Sequence, residues 1–218
     1  MVNMLLAVLP TIVIITYILW FDRYNKEPRL LLVKLFFCGC LTVIPAAFLE
    51  GLTEQKAFYS YFDVFTYALF GIALIEEGFK FIATKIVAYK ARAFDEIYDG
   101  IIYCVMVSLG FATVENIMYV NAYGTGTALL RAVTAVPAHT IFAVTMGYYL
   151  GLSKAMPQKR LGYQILALAV PILLHGIYDF ILFLSFDWIM IVFGIYAFYL
   201  YKKAFRLINE TYQIPPFR

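Results

Sequence analysis

The sequence predicts an all-α, polytopic membrane protein of about seven transmembrane helices, with its N-terminus outside and its C-terminus cytoplasmic. Three observations carry that prediction. Hydrophobic residues are 63% of the 218-residue chain and charged ones only 14%, where a soluble domain has about 25% charged residues. The apolar residues gather into seven runs, at 2–21, 30–49, 64–84, 100–120, 129–151, 163–184 and a short one at 187–201, close to the roughly 20 residues a hydrocarbon core requires. Basic residues cluster after alternate runs: Arg23, Lys26 and Arg29, then Lys85, Lys90 and Arg92, then Lys154, Lys159 and Arg160, then Lys202, Lys203 and Arg206. The other connections carry few basic residues, Lys56 in one and Arg131 at the edge of another, and none lies around Ser185 to Asp187. Basic loops stay on the cytoplasmic side, which sets the orientation. The length leaves no room for a second, soluble unit, so residues 1–218 read as one integral-membrane domain.

The first run has no basic residue before it and no small-x-small cleavage site, so it reads as a retained helix and not a signal peptide. The second contains Cys38 and Cys40, two apart on a helix and therefore pointing to different sides. With Cys104 in the fourth run they read as packing residues. The third run is interrupted by Ile75-Glu76-Glu77-Gly78-Phe79-Lys80. One ionised carboxylate at mid-helix costs roughly 2.5–3.5 kcal/mol on insertion scales, so a pair of them requires partners. Glu76 and Lys80 are four apart and share a face; Glu77 points elsewhere and is left to another helix.

The fourth run carries Ser108, Glu115 and Asn116, with Phe111 one turn before Glu115. Asp95, Glu96 and Asp99 precede it, and two readings of them stay open, capping of that helix N-terminus and a functional role. The fifth run carries His139 two residues after Pro137, and the sixth carries His175 and Asp179 four apart, with Pro171 one turn earlier. Proline frees a carbonyl and kinks a membrane helix, which opens room for a site. The loops at 121–127 and 156–160 are short and polar, so the helices they join are antiparallel hairpins.

A lone histidine on an apolar helix is most often a packing residue. Here four helices each bring ionisable groups, and such groups at membrane depth are a functional hypothesis by default. With the N-terminus outside, Glu115, His175 and Asp179 lie toward the outer face and Glu76, Glu77 and His139 near the centre. A single outer cavity open to water would collect them all. Carboxylates and histidines together suit hydrolysis. A buried carboxylate can act as general base on water, and histidines can stabilise an oxyanion or move protons. The same residues could hold a divalent metal that acidifies bound water. No His-Glu-x-x-His, Gly-x-Ser-x-Gly or Gly-x-Gly-Asp motif occurs, which sets aside those hydrolase classes. A proton-coupled transporter and a non-catalytic membrane binding protein are the other readings that Glu/His groups at mid-membrane allow.

Glu76-Glu77-x-x-Lys80, Phe111-x-x-x-Glu115, the isolated His139 and His175-x-x-x-Asp179 stand in the order of the motifs of the PrsW proteases. The stretch Phe94 to Tyr103 and the loop Asn25-Lys26-Glu27-Pro28 also resemble theirs. That family is related to the type II CAAX prenyl proteases and the bacteriocin-processing CPBP proteins. The resemblance implies an intramembrane protease in a bacterial cell membrane, acting on a single-span membrane-anchored anti-sigma factor, with no nucleic-acid partner. Its cut, on the outer side, would be the first step in releasing an extracytoplasmic-function sigma factor. By resemblance Glu76, with Glu77, activates water; Glu115, His139, His175, Asp179 and Glu96 complete the expected catalytic set. Glu115 stands where the wider superfamily usually has His. Asp179 replaces an Asn and, when ionised, cannot donate to an oxyanion, so orienting His175 or binding metal is its more natural role. If the enzyme is a metalloprotease, Glu76, Glu115, His139 and His175 are the expected ligands of a zinc ion. If it is glutamate-type, no cofactor is needed.

Overall fold

The computed structural model describes residues 2–21, 26–54, 57–184, 188–212 and 214. Arg23, Asn25, Lys56 and the Ser185–Asp187 connection lie outside the described residues. Among the described residues all regular structure is helical. In order these are α1 (Val2–Phe21), α2 (Arg29–Thr53), α3 (Tyr61–Thr66), a π-helical segment (Tyr67–Ala73), α4 (Leu74–Val87), α5 (Ile97–Tyr123), α6 (Thr125–Val133), α7 (Ala135–Ala155), a short 3₁₀ turn (Pro157–Lys159), α8 (Arg160–Phe183) and α9 (Ile189–Thr211).

The described residues of the seven apolar runs fall almost wholly on helix. Among the described residues four helical stretches are long and apolar enough to cross a membrane: Arg29–Thr53, Ile97–Tyr123, Thr125–Ala155 and Pro157–Phe183. The apolar part of α1, Met4–Trp20, is shorter. Large apolar side chains stand exposed along the outer faces, among them Trp20, Leu30, Ile44, Ile86, Leu161 and Ile195. Such a surface is stable when hydrocarbon surrounds it, as in a membrane protein.

Helix α5 is the axis of the bundle. Its residues Ile97 through Thr113 are all buried, and a helix apolar on every side belongs in the middle of its neighbours. Helices α2 and α7 pack on it at glycines. A methyl group on Gly147 of α7 would fall on the Gly100 carbonyl and the Ile101 backbone. One turn on, Gly151 faces Ile97 in the same way. Across the axis, Gly110 of α5 meets the Phe36 carbonyl of α2, and Gly39 meets the Val107 carbonyl. Small residues let membrane helices approach to backbone contact, where dispersion replaces the hydrophobic effect as the source of affinity.

Polar ties complete the frame. Thr11 of α1 hydrogen-bonds Thr113 of α5 at 2.8 Å, and Asn116 Nδ2 donates to the Ala7 carbonyl at 2.8 Å. The Tyr103 hydroxyl donates to the buried Glu27 carboxylate. At the start of α5, Asp99 Oδ2 accepts from the backbone N–H of Asp95 at 2.8 Å and of Glu96 at 2.6 Å. Glu96 is the N-cap and its side chain accepts from the Asp99 N–H, so the two form a reciprocal capping box. Asp99→Ala removes an acceptor that serves two part-buried backbone donors. We expect it to cost about 1–2 kcal/mol, seen as a lower thermal midpoint in detergent.

Candidate active site

The third apolar run is a single helical path whose middle is π-helical, from Tyr67 to Ala73. A π turn uses i→i+5 hydrogen bonds, so it rotates everything after it relative to an unbroken α-helix. The Thr53 hydroxyl on α2 lies 3.1 Å from the Gly71 carbonyl within that turn. Glu76 and Glu77 follow immediately, in the first turn of α4, and both face inward.

Lys80 joins them. Its ammonium lies 2.9 Å from Glu76 Oε2 and 2.8 Å from Glu77 Oε1. It also lies 3.1 Å from His139 Nδ1 on α7, and 4.1 Å above the centre of the Phe111 ring on α5. An ammonium has only donors, so His139 Nδ1 accepts, and the imidazole proton is on Nε2. That nitrogen is 2.9 Å from Glu115 Oε2, to which it donates. Glu115 is held in turn by the Arg131 guanidinium of α6 at 2.8 Å. Arg131 Nε donates to Asn116 Oδ1 at 3.0 Å, and its guanidinium covers the Tyr119 ring at 4.1 Å.

His175 of α8 is also held at both ring nitrogens, here by two carboxylates. Its Nδ1 lies 3.1 Å from Glu77 Oε1, and its Nε2 lies 3.3 Å from Asp179 Oδ2, one turn along the same helix. The ring stacks on Phe142 at 4.9 Å and 18°, and the two imidazoles meet edge to face at 5.4 Å. Each histidine is thus gripped at Nε2 by a carboxylate and turns Nδ1 toward the glutamate pair. Outer carboxylates of this kind fix ring orientation and raise the basicity of the inner nitrogen.

The sequence-predicted residues therefore come together, with one exception. Glu76, Glu77, Glu115, His139, His175 and Asp179 form one connected group. Glu96 caps the far end of α5, 19 residues before Glu115, or about 28 Å at 1.5 Å per residue. The group is packed and does not line an open cavity. Glu77 is fully buried, and Glu76, His139 and His175 are at most 5% exposed. The side chains of Glu115 and Asp179 keep 18% and 14% exposure, so their side of the cluster is the more open one.

Two participants were not singled out from sequence. Glu50, one residue past the predicted end of the second run, lies near enough for the charges of Glu76, Glu115 and Lys80 to act on it. Its Oε1 is buried without a hydrogen-bond partner among the described residues. A lone carboxylate ending an apolar run was the available signal. Arg131 read only as a loop charge, and nothing local marks it as the partner of Glu115.

One ligand atom from each of Glu76, Glu77, His139 and His175 lies within 4.8 Å of the others, a spacing compatible with one shared metal ion. Glu115, expected as a ligand, stands behind His139, and Glu77 takes its place in the inner set.

This geometry has a counterpart in known sequences. Residues 27–203 match the family described as PrsW family intramembrane metalloprotease. The chain belongs to the PrsW family. Among its relatives is the protease PrsW of Oceanobacillus iheyensis, 39% identical over 204 residues covering 91% of this chain and 94% of that one. Those of Clostridioides difficile and Bacillus subtilis are 38% and 37% identical, covering 91% and 84% of this chain and 86% and 84% of theirs. No solved structure matches. This PrsW-family chain is accordingly a peptidase and a membrane protein. Its inner donor set, two carboxylates and two imidazoles each backed by a further carboxylate, fits a divalent transition metal in chemistry.

Proposed function

We propose that this chain makes the first, outer-side cut in a membrane-anchored anti-sigma factor, starting the release of an extracytoplasmic-function sigma factor. All seven apolar runs cross the bacterial cell membrane in this reading, N-terminus outside, and residues 1–218 act as one domain. The observation that carries it is the convergence of α4, α5, α7 and α8 on one buried group of carboxylates and imidazoles. The greater exposure of Glu115 and Asp179 supports entry of substrate from their side of the cluster.

Glu76 is the base. Its side chain keeps 5% exposure where that of Glu77 has none, so an incoming water reaches Glu76. Glu76 takes a proton from that water as the oxygen bonds to the substrate carbonyl carbon. When the carbon–nitrogen bond breaks, the same carboxyl returns the proton to the leaving nitrogen. Glu77, His139 and His175 would hold a divalent ion, and Glu115 and Asp179 keep both imidazoles in register. When bound, such an ion supplies carbonyl polarisation and a more acidic water.

The test is cleavage of a single-span anti-sigma factor by the purified chain in lipid vesicles. We expect one cut, placed by mass spectrometry in the outer part of the substrate, stopped by chelator and restored by zinc. An intact substrate together with pH-coupled solute movement would replace this reading with the proton relay.

A further inference from the structure

Lys80 occupies a position that a metal site does not ordinarily give to a cation of its own. Its ammonium is 2.8 Å from Glu77 Oε1 and 3.1 Å from His139 Nδ1, two atoms of the inner donor set, and 2.9 Å from Glu76 Oε2. The side chain is 1% exposed and its ammonium is seated over the Phe111 ring. A divalent ion binds such oxygens and nitrogens at about 2.0–2.2 Å, and His139 Nδ1 has a single lone pair, which it now gives to the ammonium. Two positive centres cannot share those lone pairs within a buried space of this size. At such separations two cations shielded from water repel strongly.

We infer that Lys80 is the built-in counter-ion of this site and that a divalent metal enters only by displacing its ammonium. Glu76, Glu77, His139 and Lys80 then form two alternative assemblies. In one, the lysine neutralises the glutamate pair and the chain is folded without metal. In the other, the ammonium has left, Glu77 and His139 ligate the ion together with His175, and Glu76 is freed to act as base. Metal affinity is set by this exchange as well as by the ligands. The inference rests on the metal-binding reading of the site and is independent of the substrate.

The test measures zinc affinity of the purified full-length chain in detergent, by competition with a chromophoric chelator. Lys80→Met keeps the length and apolar character of the side chain and removes the competing charge. It should bind one zinc per chain at least about tenfold more tightly than wild type, or be recovered monodisperse only when zinc is present. Lys80→Arg retains a cation and should show no such gain. A Lys80→Met protein that binds zinc no more tightly than wild type overturns the inference, as does absence of stoichiometric zinc from both. A second measurement needs no neutral variant. In ¹³C-lysine spectra of wild type, the signal missing from Lys80→Arg should shift as zinc is added, and one-to-one zinc binding that leaves it unmoved also overturns the inference. Neither readout involves cleavage, so a failed anti-sigma-factor assay leaves this result intact.

Discussion

Glu76→Gln is expected to abolish proteolysis while leaving the protein folded. Glutamine keeps the shape of the side chain and can still accept from the Lys80 ammonium, now 2.9 Å from Glu76 Oε2. What it loses is the ability to take a proton. A positioned general base contributes about 10²–10⁴-fold, so residual cleavage should fall to 1% of wild type or below, measured under single-turnover conditions in vesicles. Glu77→Gln differs in kind. Glu77 is fully buried and serves both Lys80 and His175, at 2.8 and 3.1 Å. Its neutralisation removes the buried carboxylate that Lys80 and His175 share, so stability should fall along with activity. A Glu76→Gln protein that cuts at the wild-type rate would remove Glu76 from the mechanism. The same result with Glu77→Gln would remove the glutamate pair from the mechanism altogether.

Gly147→Leu is the second change of large expected effect, and it acts far from the chemistry. The added side chain would collide with the Gly100 carbonyl and the Ile101 backbone, both in the first turns of α5. Backbone cannot rotate aside as a side chain can, so α7 must move away from α5 or shift along it. Overpacking of this kind costs about 3 kcal/mol or more where the neighbours are rigid. Because α7 carries His139, the displacement also pulls that ring from Lys80 and Glu115. We expect little monodisperse protein after detergent extraction and no cleavage. Gly194→Leu is the matched control, since nothing lies within 4 Å of a side chain built there. It should extract and cut like wild type.

Much of this arrangement is legible in the sequence because the membrane makes polar residues conspicuous. In a chain where hydrocarbon is the solvent, Glu76, Glu115, His139, His175 and Asp179 stand out from apolar runs, and their helical spacing shows who shares a face. Other features depend on information no local window holds. Helical periodicity assumes α geometry, so the π-helical Tyr67–Ala73 segment, and the rotation it gives Glu76 and Glu77, is invisible to it. The fifth run is two helices joined at Thr134, and α6 exists as a separate element that presents Arg131 to Glu115. Lys80 pairs with Glu76 as its spacing suggests, yet its contact with His139 bridges 59 positions in sequence. The distance of Glu96 from the cluster follows from helix length alone: Glu96 and Glu115 sit at opposite ends of one rigid rod.

The central place of α5 sets a problem of timing during synthesis. Helices α1 and α2, and the segment carrying Glu76 and Glu77, emerge from the ribosome before the helix they pack on. They also precede the two histidines that later face those glutamates. At 5–20 residues per second, the roughly 100 residues from Glu77 to His175 take between about 5 and 20 s to make. In the seven-span reading proposed above, the glutamates then enter the bilayer with one partner already beside them, Lys80 on their own helix, at i+4 and i+3. The newborn segment therefore enters the membrane carrying one net negative charge in place of two. The lysine acts as an internal chaperone for a span that would otherwise wait unpaired in lipid.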